Sequence, residues 1–278
     1  MLLKFHKAHG LGNDFVIIDK ADLKDFKLTT DILTKIANRH EGIGCDQVIL
    51  FSSNDLNPES ADVWFFNQDG TEAETCGNGL RCLAASLHQS TGRREFVITT
   101  NVDKNVIKIC NVCVRQDDKI TVDMGASSFD GVKIPLQNGL DPMNVIIKEY
   151  DLCGTAVNIG NPHIVFFLDD PDGMDLSKIG PKIERHPYFP RRVNVSFAKL
   201  NSSSRIHMRV WERGAGITKA CGSAACAVAA VARKKEMTQG RVTVTQPGGI
   251  IEVDIDENSG SISQTADAEI VFSGQMQI

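Results

Sequence analysis

The chain has 278 residues, a formal net charge of −5, 42% apolar residues and 23% charged residues. These values are ordinary for a globular protein of about two domains. They exclude the basic face typical of nucleic-acid-binding proteins, and the lack of any apolar run near about 18 residues excludes a membrane-spanning helix. Because the first residues also lack the apolar stretch of a secretory signal, we expect a cytoplasmic protein with reduced cysteines.

Strand-like segments dominate the chain. Clusters of Gly, Asn, Asp and Pro separate them, and the segments 247–249 and 257–260 predict hairpin turns. Runs of β-branched and aromatic residues predict strands at 15–19, 62–67, 95–100, 164–169, 192–198, 206–212, 241–245 and 250–256.

Helices are few: one is predicted at 31–38, and two more begin just after Cys76 and Cys221. The last two, "GLRCLAASLH" and "SAACAVAAVA", are apolar nearly all round, which predicts that they are buried on every side. We therefore expect an α+β protein in which a curved mixed β-sheet, a barrel-like roll, wraps around a central apolar helix in each of two pseudo-symmetric domains.

The pair Cys110 and Cys113 has the spacing of metal ligands, but no second such pair and no pair of histidines lies near it. The surrounding segment 105–125 alternates like two strands around a turn at Asp117 and Asp118. We therefore predict sheet here, and we expect no metal site.

The chain repeats itself at an offset of 145 residues. The segment "FNQDGTEAETCG" (66–77) matches "WERGAGITKACG" (211–222), and "GNDFVIID" (12–19) echoes "GNPHIVFF" (160–167). We read this as a duplicated domain. The first copy occupies residues 1–122 and carries Cys76; the second occupies 123–266 and carries Cys221.

Each lead cysteine stands where a helix begins, and Asn78 and Ser223 are the expected N-caps. Unpaired N–H groups and the helix dipole at such a position bind anions and lower the pKa of a thiol. Gly77 and Gly222 would let a ligand approach the backbone. Each copy therefore combines a carboxylate-sized cradle with an acidified thiol.

Two such copies, facing each other about a pseudo-twofold axis, would place two thiols across one cleft. One thiolate could remove a proton from a carbon while the other thiol delivers a proton from the far side, which inverts a stereocentre. Cys82 and Cys226, inside the two apolar helices, are read as packing residues.

Six motifs, in this order, resemble those of the diaminopimelate epimerase family, which are pyridoxal-independent amino-acid epimerases. The resemblance implies epimerisation of LL-2,6-diaminopimelate to the meso form, a small-molecule substrate, no cofactor, and a last strand at 267–278 that completes the first domain. It also allows a homodimer. The motifs are "GLGNDF" (10–15), "GIGCDQ" (42–47), "FNQDGTEAETCGNGLRC" (66–82), "NIGNPH" (158–163), "NVSF" (194–197) and "ERGAGITKACGSAAC" (212–226).

The resemblance also implies a role for individual residues. Cys76 and Cys221 would be the two acid/base cysteines, and His163 and Glu212 would tune their pKa values. The backbone at Gly77, Asn78, Gly222 and Ser223 would hold the reacting carboxylate. The side chains that would bind the rest of the substrate, including its distal amino-acid group, are Asn13, Gln47, Asn67, Asn161, Asn194, Glu212 and Arg213.

Other interpretations stay open at this point. A two-cysteine proline or hydroxyproline racemase would share the chemistry but lack a clamp such as Glu212 and Arg213 for a distal carboxylate. A cysteine hydrolase would need one nucleophile and no second thiol. In a non-catalytic binding protein, the cysteines would only pack, Asn13 and Asn161 would be turn residues, and His163 would be a core histidine.

Overall fold

The structure is a computed structural model that describes residues 1–24, 26–54, 57–103 and 106–278. The fold is α+β, as predicted. In the described part of the chain the helices are α1 (Thr30–Ala37), α2 (Gly77–Thr91), α3 (Leu176–Glu184) and α4 (Gly222–Lys234). None of these helices is long and apolar enough to cross a membrane.

Runs of two or more strands lie before, between and after these helices along the chain. In the described residues they are β1 (Leu2–Gly10), β2 (Asn13–Asp19), β3 (Gln47–Asn54), β4 (Asn57–Asn67), β5 (Glu72–Ala73), β6 (Glu95–Asp103), β7 (Val106–Val114), β8 (Ile120–Ala126), β9 (Val145–Ile147), β10 (Leu152–Asn158), β11 (Pro162–Phe167), β12 (Asn194–Ser202), β13 (Arg205–Glu212), β14 (Gly216–Ile217), β15 (Val242–Gln246), β16 (Gly249–Ile255), β17 (Ser261–Ala266) and β18 (Glu269–Gln277).

The chain divides into two compact units, one made of residues 1–122 and 266–278 and the other of residues 123–265. In the first unit, β2 pairs parallel with β3, β3 antiparallel with β4, β4 parallel with β6, and β6 antiparallel with β7. Strand β1 pairs antiparallel with both β2 and the last strand, β18. Helix α2 packs against β1, β2, β7 and β18, so the sheet covers several sides of it.

The second unit repeats this pairing order. Strand β11 pairs parallel with β12, β12 antiparallel with β13, β13 parallel with β15, and β15 antiparallel with β16. Helix α4 packs against β10, β11, β12, β13, β15 and β16. The repeated order is what a duplicated sequence predicts, and each unit folds around its own apolar helix.

Burial of the two central helices agrees with their sequence. Cys82 in α2 and Cys226 in α4 are fully buried, and α4 exposes side chains only in its last turn. A helix covered on every side has no polar face, which is why Ala, Val and Cys fill it.

Helix α3 was missed because Gly180 and Pro181 are strong helix breakers in a sequence pattern. Pro181 lies in a helix of nine residues, and Asp175 caps its start by accepting a hydrogen bond from the Lys178 N–H. The strands β1, β3, β5, β9, β10, β14 and β17 were not predicted either. Each predicted strand nevertheless overlaps an observed one, and both predicted hairpin turns are present between β15, β16 and β17.

The pair Cys110 and Cys113 lies in β7, where residues three apart point to opposite faces of the sheet. Cys110 is buried and Cys113 is half-buried, so the two thiols cannot hold one ion together. The predicted turn follows at Asp118, which has a positive φ of 61°. Residue 105, the first of that predicted segment, lies outside the described residues.

Candidate active site

Both central helices begin one residue after the lead cysteine, so Cys76 and Cys221 are themselves the N-caps. The carbonyl of each cysteine accepts the first backbone hydrogen bond of its helix, at 2.9 Å in α2 and 3.1 Å in α4. The prediction that Asn78 and Ser223 cap these helices was therefore wrong. Both lie inside the first turn, where backbone N–H groups have no partner within the helix.

In the first unit, Cys76 is half-buried and its Sγ donates to Asn13 Oδ1 at 3.7 Å. The same oxygen accepts from Asn78 Nδ2 at 3.3 Å, and Asn78 Oδ1 in turn accepts from Arg81 Nη2 at 2.6 Å. Arg81 is fully buried in α2. It stands in the family signature, but the sequence alone assigned it no role.

The orientation of the Asn13 amide follows from its other neighbour. Asn13 Nδ2 donates to Asp46 Oδ2 at 3.1 Å, and a carboxylate can only accept. The amide oxygen must then face Cys76. Asp46 is held by Arg39, which also makes two hydrogen bonds to Asp14.

Two further predicted residues of this unit lie opposite each other on adjacent strands. Gln47 begins β3 and Asn67 ends β4, and Gln47 Nε2 donates to Asn67 Oδ1 at 3.2 Å. Gln47 Oε1 is buried and has no hydrogen-bond partner among the described residues. This acceptor could receive an N–H group of a ligand.

The second unit joins its own predicted residues into a chain of contacts. His163 Nε2 lies 2.7 Å from Asn161 Oδ1, and Asn161 Nδ2 donates to Ser223 Oγ at 3.5 Å. Ser223 Oγ lies 3.5 Å from Cys221 Sγ. As in the first unit, the asparagine of a Gly-Asn turn therefore contacts the side chain two residues beyond the lead cysteine.

The protonated form of Cys221 is strongly favoured. Its side chain is buried, and burial raises the pKa of the thiol well above its ordinary value. The negative charge of Glu212 and a hydrogen bond to that carboxylate raise the pKa further, while the Ser223 hydroxyl acts in the opposite direction. The prediction of an acidified thiol was therefore wrong at Cys221, because desolvation outweighs the field of the helix terminus.

His163 is also fully buried. Burial, assisted by the positive charge of Arg213, lowers the pKa of His163 to about 3, so the imidazole is neutral. Its Nδ1 atom has no hydrogen-bond partner among the described residues. The proton therefore belongs on Nε2, where it can be donated to Asn161.

Gly222 does not leave open space for a ligand on its side-chain face. A Cβ atom there would overlap the Gln264 amide, so the glycine makes room for that glutamine. A second glutamine, Gln246, accepts from the Cys221 N–H at 2.9 Å and donates to the Cys221 carbonyl at 3.4 Å. Sequence reasoning missed both glutamines. The available signal was strand alternation, which turns Gln246 and Gln264 towards the core of the unit.

Glu212 and Arg213 lie at the end of β13, in the turn before β14. Glu212 accepts from Thr218 Oγ1 at 2.5 Å and also bonds the Cys221 thiol. The Arg213 N–H donates to Asn194 Oδ1 at 2.9 Å. The guanidinium of Arg213 reaches the main chain through a 3.0 Å hydrogen bond from Nη1 to the Arg191 carbonyl.

Asn194 uses both ends of its amide inside the unit. Besides accepting from Arg213, it donates to the Pro162 carbonyl at 2.9 Å and is almost fully buried. The predicted ligand-binding residue therefore also links the start of β11 to the turn that carries Arg213.

Solved structures that share this fold include an amino-acid epimerase. A solved structure of a hydroxyproline epimerase from Agrobacterium vitis matches 99% of this chain and 92% of its own, with a TM-score of 0.65 and 13% sequence identity. At that identity the likeness shows the fold alone.

The particular family comes from sequence. The family model described as diaminopimelate epimerase matches residues 5–129 and 155–271. A diaminopimelate epimerase of Pelagibacter ubique is 40% identical over 93% of both chains, and one of Synechocystis is 38% identical over the full length of both. This chain belongs to the diaminopimelate epimerase family.

Proposed function

We propose that this protein interconverts LL- and meso-2,6-diaminopimelate without a cofactor, using Cys76 and Cys221 as a pair of acid/base groups. One observation carries the proposal. Each unit has a cysteine at the N-cap of a buried helix, and an asparagine from a Gly-Asn turn bonds the side chain two residues beyond that cysteine. Similarity to relatives that are named diaminopimelate epimerases favours this substrate over the proline or hydroxyproline alternative.

The chemistry requires two sulfur atoms that reach one α-carbon from opposite sides. A thiolate takes the α-proton and becomes a thiol, and the electron pair of the broken C–H bond moves into the substrate carboxylate. The second thiol then gives its proton to the other face of the carbon and becomes a thiolate. Atoms and charge balance, and the configuration of that carbon is inverted.

The developing dianion needs preformed hydrogen-bond donors, because the α-proton of an amino acid is very weakly acidic. The first turns of α2 and α4 have backbone N–H groups for which the helix provides no acceptor. These groups belong to Gly77 and Asn78 in α2 and to Gly222 and Ser223 in α4. We assign them to the reacting carboxylate.

The acid role falls to Cys221 in the free protein. Burial and the Glu212 carboxylate favour its thiol form, so it holds a proton ready for delivery. His163 and Asn161 hold Ser223 beside that thiol. We therefore propose that Glu212, Asn161 and His163 tune Cys221, and that Cys76 is the group that takes the α-proton of the LL substrate.

The distal amino-acid group of diaminopimelate offers one ammonium and one carboxylate. Arg213 can pair with the carboxylate in a bidentate contact. Gln47 Oε1, which has no hydrogen-bond partner in the described part of the chain, can accept from the ammonium, and Asn67 orients Gln47. A site built around polar partners rejects substrates that lack them.

We also propose a cytoplasmic enzyme, because the chain has eight cysteines and none of those in the described residues forms a disulfide. A homodimer is the assembly that the family resemblance allows. Sedimentation of the purified protein would distinguish a homodimer from a monomer.

The test is incubation of the protein with LL-diaminopimelate in D₂O with no cofactor added. We expect meso product that carries deuterium at the inverted carbon, and no exchange or inversion of proline or hydroxyproline. Cys76→Ala and Cys221→Ala should each abolish inversion, whereas Cys153→Ala, at an exposed thiol, should not. Unchanged, unlabelled substrate with the natural protein would refute the function, and normal inversion by either lead-cysteine variant would refute the two-base mechanism.

A further inference from the structure

A socket on helix α3 holds the indole ring of Trp211, the residue directly before Glu212 and Arg213. Gly180 and Glu184 form this socket, which we call the Trp211 socket. The two residues are four apart and therefore lie on the same face of the helix. Both belong to the second unit, as does the strand that they contact.

The fit of the indole ring depends on a missing side chain and on a buried charge. A Cβ atom at Gly180 would lie 2.6 Å from Trp211 Cγ, so only glycine lets the ring rest on the helix. One turn further on, Glu184 Oε2 accepts from Trp211 Nε1 at 2.7 Å. Glu184 is only 2% exposed, although glutamate is almost never fully buried.

The other carboxylate oxygen of Glu184 contacts the chain just after Glu212 and Arg213. Glu184 Oε1 accepts from the Gly214 N–H at 3.2 Å, and Arg192 lies 3.6 Å away as its ion-pair partner. Glu184 therefore bonds the residue before Glu212 and the residue after Arg213. One buried carboxylate fastens both ends of the turn that carries the pair.

We propose that Glu184 is a positioning residue that sets where Glu212 and Arg213 stand, and thereby how tightly the distal group of the substrate is held. The inference rests on the proposed function, because it assigns that group to Arg213. A charged hydrogen-bond acceptor is stronger and more directional than a neutral one, so a carboxylate suits this task. An amide at this position has one acceptor oxygen in place of two. One of the two donors, Trp211 Nε1–H or the Gly214 N–H, would then face the amide NH₂ group, which cannot accept.

The test compares KM and kcat for diaminopimelate between the natural protein, Glu184→Gln and Trp211→Phe. Phenylalanine keeps an aromatic ring over Gly180 but has no Nε1–H. Trp211→Phe therefore removes the hydrogen bond to Glu184 by removing its donor, whereas Glu184→Gln changes its acceptor. We expect each variant to raise KM about tenfold, which corresponds to about 1.4 kcal/mol, and to change kcat much less, because the Glu212 carboxylate that acts on Cys221 is also held by Thr218. The double variant should raise KM no further than Glu184→Gln alone, because both changes remove one shared interaction.

The matched control is Glu149→Gln, which removes an exposed carboxylate 3.7 Å from His186 in the same unit. It should leave KM unchanged. Circular dichroism and thermal unfolding of every variant show whether a changed KM comes from a folded protein. If Glu184→Gln does not fold, Trp211→Phe decides the question.

The outcomes separate the inference from the function on which it rests. Inversion by the natural protein, together with an unchanged KM in both socket variants, would overturn the inference alone. Additive effects of the two variants, or a failure of both to fold, would also overturn it, because the socket would then support the unit rather than aim the turn. A natural protein that does not act on diaminopimelate would overturn the function and the inference together.

Discussion

At the scale of single residues, the two lead cysteines occupy equivalent positions in different electrostatic surroundings. Cys76 is half-buried and contacts an amide oxygen, whereas Cys221 is buried beside the carboxylate of Glu212. In the proposed two-base mechanism the two sulfur atoms exchange roles with the direction of the reaction, and the negative charge of Glu212 opposes the thiolate form of one of them, Cys221.

The first prediction follows from that carboxylate. In Glu212→Gln the negative charge that raises the pKa of Cys221 is gone, so the thiolate fraction should increase. A fall of one pKa unit would raise the thiolate fraction, and with it the rate of alkylation by iodoacetamide at pH 8, about tenfold. Peptide mapping by mass spectrometry measures the rate at Cys221, with the exposed Cys153 as an internal reference whose rate should stay constant. Equal rates at Cys221 in both proteins would show that Glu212 does not set its protonation.

At the scale of elements, the start of β2 is tied to the loop between α1 and β3 by charged side chains. Lys7 of β1 bonds Asp14 at 2.5 Å, and Arg39 bonds both Asp14 and Asp46. Lys7 also donates to the Gly44 carbonyl. This network carries no predicted catalytic role, yet it fixes Asp46, which orients the Asn13 amide towards Cys76.

The second prediction concerns the stability of this network. Burial alone would raise the pKa of Asp14, but hydrogen bonds from Arg39 and Lys7 outweigh it and hold the pKa well below its ordinary value. Asp14 therefore stabilises the fold above about pH 4, and this contribution is lost as the pH falls below that value. We expect Asp14→Asn to lower the free energy of unfolding at pH 7 by about 3 kcal/mol, because it leaves Lys7 buried without its ion-pair partner.

Urea unfolding at pH 7 and at pH 3 measures both effects. The variant should lose less stability than the natural protein between the two pH values, since it lacks the titrating group. Asp22→Asn is the matched control, because its partner Lys4 is exposed and 3.6 Å away, and it should cost less than about 1 kcal/mol. Equal losses in Asp14→Asn and Asp22→Asn would contradict the stabilising role of the network.

Most elements were predictable because they depend on local patterns. The periodicity of apolar residues predicts helices α2 and α4. The placement of glycine and proline predicts the two hairpin turns. The cysteines followed from the repeat. Helix α3 and the roles of Gln246 and Gln264 near Cys221 could not be predicted, because they depend on long-range contacts. In the sequence Gly180 indicates a helix break, and only the structure shows that it makes room for Trp211. The cap positions were wrong because a cysteine with extended backbone can begin a helix without a side-chain hydrogen bond.

At the scale of the whole molecule, the two units share one order of strand pairing but differ in the polar residues around the lead cysteine. The first unit ends its chain of contacts in a buried guanidinium at Arg81, and the second ends its chain in a neutral imidazole at His163. In the proposed mechanism each unit supplies one acid/base group, and one such group alone could remove and return a proton only on one face of the carbon. Under the proposed mechanism, the duplication supplies the two groups that inversion needs.

The last prediction asks whether those two groups belong to one chain. Cys76→Ala and Cys221→Ala proteins are mixed in equal amounts, dissociated and reassociated, and assayed for inversion of LL-diaminopimelate. If each site uses both cysteines of the same chain, every site in the mixture lacks one group and no inversion returns. If a homodimer shared its sites between chains, random exchange would restore about a quarter of the natural activity. Co-assembly of a tagged and an untagged chain verifies that exchange took place, so recovered activity would overturn the single-chain site.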